Sequence, residues 1–377
     1  MRILILSANT GGGHNSAARA MQESFGNRGW ACDIEDGLAF LPPLYNEFLC
    51  RGHVFCYRRF PKLYGAGYRM EERRSQRTPY QKALRAESNA RPLPRRLLAL
   101  RDLLGAYDAV ICVHVFVARQ VSLLRLRGEV HIPCYFLATD YTCSPGVNQL
   151  EMDGWFIPHR QLTSEFTAVG IPEERIFPTG IPVGSGFMRA GSQAQARRAL
   201  KLPEERPIAL LSCGSMGAGH MGRMVLALLE AMPKNAMLIV VCGSNKKLQK
   251  RLKHLVHSRR LLVLGFTSRM HDYMEAADLF LTKPGGLSVT EAVHKRTPLI
   301  LIDAVPGVET RNMEFMKAAG CAVSVSGAIS LARTVSLILK SGASMDSLRN
   351  NCEREFKDNA SEEILRILSE ASHANKQ

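Results

Sequence analysis

Short apolar runs alternate with helical patterns through both halves of the chain, and this alternation limits the possible folds more than any other feature. The predicted strands of the first half are residues 2–7, 32–35, 109–114, 133–138 and 154–157. Those of the second half are residues 208–213, 237–242, 261–264, 279–282 and 298–302. Strands separated by helices are typical of parallel βαβ units rather than hairpins. The sequence therefore predicts an α/β fold with two Rossmann-like, doubly wound domains.

Length and composition agree with two globular domains. The chain has 377 residues, of which 46% are hydrophobic and 22% charged, a composition that excludes the disordered and fibrous classes. We expect an N-terminal domain at 1–182, a linker at 183–205 and a C-terminal domain at 206–345. The segment 346–377 is expected to form a helix that packs back across the junction. Ligands bind at the carboxyl ends of parallel strands, so we expect a site in a central cleft that the two domains face.

Several classes of protein are not expected from the sequence. No apolar run approaches the roughly 18 residues that a membrane-spanning helix needs, and the N-terminus lacks the apolar region of a signal peptide. The ten cysteines are scattered without a CxxC pair, so neither a zinc module nor a disulfide framework is predicted. We therefore expect a cytoplasmic protein without a metal site.

A glycine-rich turn follows the first predicted strand. Gly11, Gly12 and Gly13 precede His14 at the start of a helical pattern. Free N–H groups at such a turn suit an anion or a hydroxyl, and a histidine there suits a general base. The pattern matches neither GxGxxG nor a P-loop. The simpler interpretation also stays open, in which the glycines form a tight turn and His14 caps or packs against the helix.

Two further glycine-rich loops follow predicted strands of the second half. The first contains Gly214, Ser215 and Gly217, and the second has the sequence KPGGLSVTEA at residues 283–292. Gly285 and Gly286 begin a helix whose amides could bind a diphosphate, and Lys283 adds a positive charge.

Carboxylates follow these loops along the chain. A carboxylate such as Glu291 suits the two hydroxyls of a ribose, although a solvated helix charge is the alternative. Glu309 and Asn312 begin another helix after the next strand. Together the loops predict a nucleotide-diphosphate ligand in the C-terminal domain.

Six motifs in order resemble one family of glycosyltransferases. They are GGGH at 11–14, TDY at 139–141, GSMG at 214–217, GF followed by MxxYMxxADL at 265–279, KPGGLSVTEA at 283–292 and PGVETRN at 306–312. This set resembles the monogalactosyldiacylglycerol synthase and processive diacylglycerol glucosyltransferase family, which is related to the MurG-like glycosyltransferase family 28.

The resemblance implies a GT-B fold, a UDP-sugar donor held by the C-terminal domain and a diacylglycerol acceptor at the N-terminal domain. It further implies that Glu291 binds the ribose, that Glu309 and Asn312 contact the sugar, and that Phe266 lies in the loop for uracil. His14 matches the catalytic base.

The expected reaction is the inverting transfer of a hexose from UDP-glucose or UDP-galactose to the hydroxyl of diacylglycerol. His14 would remove the hydroxyl proton, and Asp140 would orient or charge-balance His14. A turn cap is the alternative role for Asp140. Because no DxD triplet occurs, neither a metal nor another cofactor is expected, and helix dipoles with Lys283 would stabilise the diphosphate.

The formal charge of +15 is concentrated in one segment. Residues 51–101 have fourteen Lys or Arg and three Asp or Glu, a net charge of +11, together with many aromatic residues. This composition favours a peripheral contact with an anionic membrane on its inner face. The predicted contact residues are Phe55, Arg58, Arg59, Phe60, Tyr64, Arg73 and Arg74. A solvated face is the alternative; nucleic acid is not expected, since no recognition module accompanies the charge.

Two other functions stay open at this point. One is a MurG-like transferase that moves N-acetylglucosamine from its UDP-sugar to a different lipid. The other is an epimerase of GT-B fold that binds a UDP-sugar and needs no acceptor.

Overall fold

The computed structural model describes residues 1–9, 12–42, 61–77, 92–188, 191–215, 217, 220–255, 258–341, 343–356 and 359–374. The chain divides into two compact units. The first comprises Met1–Ser185, Val305–Val308 and Asp358–Gln377, and the second comprises Gly186–Ala304 and Glu309–Lys357.

A six-stranded parallel sheet forms the centre of the first unit, with the order β2-β1-β3-β4-β5-β6. Its strands are β1 (Arg2–Ser7), β2 (Ala31–Asp36), β3 (Ala109–Cys112), β4 (Cys134–Leu137), β5 (Gly154–Phe156) and β6 (Ile176–Phe177). Its helices are α1 (Gly12–Asn27), α2 (Pro61–Arg77), α3 (Arg95–Leu104), α4 (Val115–Leu126) and α5 (Thr163–Thr167). Every residue of β3 and β4 is buried, as expected for strands with helices on both faces.

A second six-stranded parallel sheet forms the other unit, with the order β12-β11-β10-β7-β8-β9. Its strands are β7 (Ile208–Ser212), β8 (Met237–Val241), β9 (Leu261–Leu264), β10 (Leu279–Thr282), β11 (Leu299–Ile302) and β12 (Ala322–Val325). The helices between residues 185 and 355 are α6 (Ser185–Met188), α7 (Gln193–Ala199), α8 (Met221–Ala231), α9 (Lys246–Leu255), α10 (Met270–Ala276), α11 (Gly286–His294), α12 (Val308–Ala318), α13 (Ala328–Ser341) and α14 (Ala343–Glu355).

The last helix, α15 (Ala360–Ala374), belongs to the first unit. It packs against α1, where Glu362 accepts hydrogen bonds from Ser24 and from Arg28. Ile364 and Leu368 are buried on its inner face. The chain therefore returns to the first unit after it has completed the second.

Each sheet has one point at which the strand order reverses. In the first sheet β1 lies between β2 and β3, and in the second β7 lies between β8 and β10. Loops at such a reversal diverge to opposite faces and leave a crevice at the carboxyl ends of the strands, where ligands bind in folds of this kind. The two reversals therefore identify the β1–β3 and β7–β10 strand ends as the places to look for a site.

The predicted fold class is confirmed, and all ten predicted strands are present within two residues of their expected limits. The prediction 109–114 extends too far because His114 is the N-cap of α4. The strands β6 and β12, each at one edge of its sheet, were not predicted. β6 has only two residues, and β12 is mostly half-buried. No helix in the described parts of the chain is long and apolar enough to cross a membrane.

Candidate functional site

His14 lies at the β1–β3 reversal of the first unit, in the first turn of α1. Its Nδ1 atom is 3.1 Å from the hydroxyl of Thr139, which follows β4. The ring of His114, which follows β3, meets it edge-on at a centroid distance of 4.9 Å. Residues after three adjacent strands therefore surround this imidazole.

The surroundings of His14 favour its neutral form. Burial lowers the pKa of His14, while the charge of Asp140 and a hydrogen bond to the main chain of Val113 act in the opposite direction. The net shift is downward, so the imidazole is unprotonated at neutral pH and has a lone pair to accept a proton. Asp140 acts on this ring through its charge, which favours the imidazolium once a proton has been taken.

A hydrogen-bonded chain of polar side chains holds the turn between β1 and α1. Ser7 donates to Asn15, Asn15 donates to Asn9 at 2.6 Å, and Asn9 donates to Asp36 at 2.6 Å. Asp36 in turn accepts a hydrogen bond from the main chain of Leu38. This network determines where α1 begins, and with it the position of His14.

The predicted glycine turn is only partly visible. Gly11 lies outside the described residues, whereas Gly12 begins α1 and is exposed, and Gly13 is half-buried. The hydroxyl of Ser16 bonds the carbonyl of Gly12 at 2.9 Å. Binding of an anion or an acceptor at this turn stays a prediction.

His114 and Thr139 were missed as site residues, although His114 is the last residue of one predicted strand and Thr139 directly follows another. His114 caps α4 by accepting a hydrogen bond from the main chain of Phe116 at 3.2 Å. The signal that could have found them is a polar side chain at a strand end next to the reversal.

In the second unit, the loop after β7 is locked by glycines. Gly214 and Gly217 have φ of 75° and 54°, and a Cβ on Gly217 would lie 2.1 Å from the carbonyl oxygen of Cys242. Asn245 donates to the carbonyl of Gly217 at 3.0 Å, and the carbonyl of Ser215 accepts from the main chain of Ser244 at 2.8 Å. Only glycine fits at position 217, which fixes this loop against the loop after β8.

The loop after β10 presents the N-terminus of α11 across the reversal from the β7 loop. Gly285 is the N-cap of α11, and a Cβ at this position would meet nothing within 4 Å. Lys283 is half-buried, and its carbonyl accepts from the main chain of Gly285 at 2.9 Å. Among the described residues no side chain caps α11, and the space beside Gly285 is open, an arrangement that suits a diphosphate.

Asn312 is hydrogen-bonded to the loop after β10. It is fully buried on α12 and donates to the carbonyl of Pro284 at 2.9 Å. A contact of the Asn312 side chain with a sugar stays a prediction, whereas its bond to the β10 loop is a feature of the structure.

Charged side chains that follow β10 and β11 act on Cys213, which follows β7. Burial raises the pKa of the Cys213 thiol to about 12; Lys283 opposes this shift, and the charges of Asp303 and Glu309 add to it. The structure therefore brings together Lys283 and Glu309, which the sequence had placed on separate loops. Asp303 has a φ of 48°, a strained conformation of the kind that accumulates at functional sites.

Glu291 and Phe266 occupy contrasting surroundings. Glu291 lies on α11, and burial raises the pKa of its carboxyl to about 8. Phe266, after β9, is 76% exposed. A large exposed aromatic ring is available to stack on a base, and a buried carboxyl is available to bond a diol; both roles stay predictions.

The predicted membrane-contact residues fall mostly outside the described residues, as Phe55, Arg58, Arg59 and Phe60 do. Tyr64, Arg73 and Arg74 lie on α2, where Arg73 and Arg74 are exposed. The buried hydroxyl of Ser75 anchors this helix by donating to Asn148 at 2.6 Å.

The described residues contain no group of three or more His, Cys, Asp or Glu side chains that could hold a metal ion. The expectation that neither a metal nor a cofactor is needed stays a prediction.

Two family descriptions match successive parts of the chain. Monogalactosyldiacylglycerol (MGDG) synthase matches residues 14–183, and Glycosyl transferases group 1 matches residues 197–357. The first match begins at His14 and the second covers all the loops of the β7–β10 reversal.

Curated relatives extend over most of the chain. The processive diacylglycerol beta-glucosyltransferase of Staphylococcus saprophyticus is 25% identical over 325 residues, which cover 85% of this chain and 80% of that protein. The protein of the same name from Bacillus cytotoxicus is 24% identical over 379 residues, with coverage of 99% and 94%.

Solved structures share the fold at lower identity. MurG of Acinetobacter baumannii has a TM-score of 0.61 at 15% identity, over 98% of this chain and 99% of that one. HepE of Anabaena in complex with UDP has a TM-score of 0.59 at 13% identity, with coverage of 98% and 100%. The two parallel six-stranded sheets are those of a GT-B fold, and the chain is similar over most of its length to the processive diacylglycerol beta-glucosyltransferases, with residues 14–183 matching the MGDG synthase family.

Proposed function

We propose that this protein transfers a hexose from a UDP-sugar to the hydroxyl of diacylglycerol, with inversion at the anomeric carbon. The observation that carries the proposal is the neutral His14 at the β1–β3 reversal, in the part of the chain that matches MGDG synthase. Relatives that span most of the chain are named as diacylglycerol glucosyltransferases. UDP-glucose and UDP-galactose are the two candidate donors.

The donor would be held by the second unit. The amides at the start of α11 and the charge of Lys283 would hold the diphosphate, with Glu291 on the ribose and Phe266 on uracil. Lys283 and Glu309 both act on the pKa of the Cys213 thiol, which supports a contact of Glu309 with the sugar beside the diphosphate. The UDP complex of HepE supports a nucleotide in a fold of this kind.

The proposed chemistry is a single displacement. The acceptor oxygen attacks the anomeric carbon and forms the new C–O bond, while the bond from that carbon to the phosphate oxygen breaks and UDP leaves. His14 takes the proton of the acceptor hydroxyl as this bond forms. The negative charge that develops on the diphosphate is stabilised by helix N–H groups already in place at α11, so little reorganisation is needed.

The partners of His14 fit this role. A base must be neutral before the reaction and stable as a cation afterwards. Burial supplies the first condition by lowering the pKa of His14, and the charge of Asp140 supplies the second by favouring the imidazolium. The Thr139 hydroxyl 3.1 Å from Nδ1 orients the ring.

We further propose that the protein acts as a peripheral enzyme on the inner face of the membrane. The acceptor is a membrane lipid, and the exposed Arg73 and Arg74 on α2 lie in the segment with the largest basic excess. Anionic headgroups attract such side chains.

The decisive experiment incubates the full chain with UDP-glucose, UDP-galactose or UDP-N-acetylglucosamine and with mixed micelles that contain diacylglycerol or a polyprenyl acceptor. Mass analysis of the lipid fraction should show diacylglycerol heavier by one hexose, and the His14→Gln variant should not form it. Product from the polyprenyl acceptor alone would contradict the proposed acceptor. Interconversion of UDP-sugars without any acceptor would identify an epimerase instead.

A further inference from the structure

The second unit carries a strongly cationic helix that the proposed reaction does not use. Residues 246–260 have seven Lys or Arg and no Asp or Glu. These basic residues are Lys246, Lys247, Lys250, Arg251, Lys253, Arg259 and Arg260. The stretch is shorter than the basic segment at 51–101, but a larger fraction of its residues is basic and no acidic residue offsets them.

The helix α9 presents its charge to solvent, and Leu248 and Leu252 to the core. Lys246, Lys247, Lys250, Arg251 and Lys253 are all exposed. Leu252 is 2% exposed in the apolar cluster over the sheet, and Leu248 packs against the same cluster. Arg260 is different, because its guanidinium bonds the carbonyls of Leu229, Met232 and Pro233.

Within the described part of the chain, no carboxylate neutralises the exposed charges of α9. Among the described residues, no ion pair joins Lys246, Lys247, Lys250, Arg251 or Lys253 to a carboxylate. Lysines and arginines four positions apart repel one another across a helix surface, as Lys246 and Lys250 do. An approaching anionic surface would relieve this repulsion.

Two neighbouring helices continue the same outer surface. The inner residues of α8, α9 and α13 all enter one apolar cluster, so the three helices form one layer over the sheet. Outside, Leu226 is 55%, Ile329 71% and Leu337 68% exposed. Arg333 lies between the last two, one turn from each, and is exposed as well. We call the outer surface of α8, α9 and α13 the cationic face.

The composition of the cationic face favours a lipid surface over nucleic acid. Glu230 is the only acidic residue in the sequences of these three helices, and they contain no Phe, Tyr or Trp. Proteins that bind single-stranded nucleic acid stack bases on aromatic rings, which are missing here. Basic side chains interspersed with exposed Leu and Ile instead suit the headgroup and acyl boundary of an anionic bilayer.

We propose that the cationic face of the nucleotide-binding unit is a second membrane-docking surface, selective for anionic lipid. It is separate from the basic segment at 51–101 in the first unit. The inference rests on charge and exposure alone and does not depend on the transferase activity.

The test measures binding of the full chain to phosphatidylcholine vesicles with and without phosphatidylglycerol. The variant Lys247→Gln, Lys250→Gln, Arg251→Gln removes three charges from the cationic face. A matched control, Arg198→Gln, Lys201→Gln, Lys317→Gln, removes three exposed charges of the same unit from outside it. A basic residue near an anionic surface contributes roughly a fivefold gain in partition at low salt. We expect the first variant to lose at least about tenfold in binding to anionic vesicles, and the control less than about twofold.

A second variant, Ile329→Ser with Leu337→Ser, leaves the charge unchanged and should also weaken vesicle binding. Equal binding by the first variant and its control would overturn the proposal. The proposal would also be overturned if the first variant lost binding to a single-stranded oligonucleotide but still bound vesicles, because the face would then be a nucleic-acid surface. Thermal unfolding of each variant reports that it is folded.

Sugar transfer to acceptor dispersed in neutral detergent separates this proposal from the one above. A failed reaction with intact vesicle binding would refute only the proposed function. Normal sugar transfer, together with vesicle binding that substitutions on the cationic face do not change, would refute only the second docking surface.

Discussion

The two strand reversals differ in the chemical groups that surround them. At β1–β3, side chains converge: an imidazole with a hydroxyl 3.1 Å away, a second histidine and a nearby carboxylate. At β7–β10, the backbone dominates: glycines at φ of 75° and 54° and the uncapped amides of α11. Side chains can titrate and move protons, whereas backbone amides hold a fixed partial charge. The contrast fits the proposed roles, proton transfer at the first site and anion binding at the second.

The largest expected effect separates these two roles. Replacing His14 with Ala should lower kcat by about 10²- to 10⁴-fold, the range for loss of a general base, and leave the Kd for UDP unchanged. Steady-state kinetics with calorimetric titration of UDP would show this split. A parallel loss of UDP binding would mean that the two sites are not separable.

The next largest effect is expected at the β7–β10 reversal, where the backbone forms the site. Gly217→Ala places a Cβ 2.1 Å from a main-chain carbonyl oxygen and at a positive φ, so the β7 loop must move. We expect at least about tenfold weaker UDP binding and a lower Tm. Gly222→Ala on α8 is the matched control, because a Cβ there meets nothing within 4 Å. Similar UDP affinity in both variants would show that the shape of this loop does not matter.

A third prediction uses the pH dependence of Glu291. The folded-state pKa of about 8 is above the usual 4.5, so the folded protein binds more protons than the unfolded chain between these values. Stability from this group is therefore full below pH 4.5 and is lost as the pH rises through 8. Glu291→Gln should flatten the fall in Tm between pH 4.5 and about pH 8.

The same variant tests ribose binding. If Glu291 accepts the two ribose hydroxyls, Glu291→Gln should weaken UDP binding by about tenfold or more, the equivalent of one hydrogen bond to a charged group. UDP binding by the unaltered protein should also release protons near neutral pH, since ionised Glu291 is the better acceptor. Buffers of different ionisation enthalpy would reveal this release in calorimetry, and its absence would argue against ionisation on binding.

The smallest effect concerns the hydroxyl beside His14. Thr139→Val keeps the shape of the side chain and removes the group 3.1 Å from Nδ1. We expect kcat to fall a few-fold with KM for the donor unchanged. Thr142→Val is a comparison at a nearby buried threonine that bonds Glu165 rather than His14. Equal kcat in the two variants would remove Thr139 from the positioning of the ring.

How far the site could be predicted depended on the kind of residue. The glycine loops and His14 stood out because consecutive glycines directly after an apolar run are typical of a strand-to-helix turn that a ligand can approach closely. Asn9 and Asp36 did not, because the bond between them joins the turn after β1 to the end of β2, 27 residues apart along the chain. No spacing rule connects such partners. Asn312 shows the same limit, because no sequence pattern indicates its bond to the carbonyl of Pro284, whereas its contact with a sugar stays a prediction.

Local pattern alone was enough for the α/β class, the two sheets of parallel strands and the loops at their carboxyl ends, because periodicity and glycine placement act over a few neighbouring residues. The neutral state of His14, the raised pKa of Glu291 and the single layer made by α8, α9 and α13 depend on burial and on charges from distant segments. Those quantities come into being when the chain packs, since desolvation and long-range Coulomb interactions have no counterpart in a stretch of sequence.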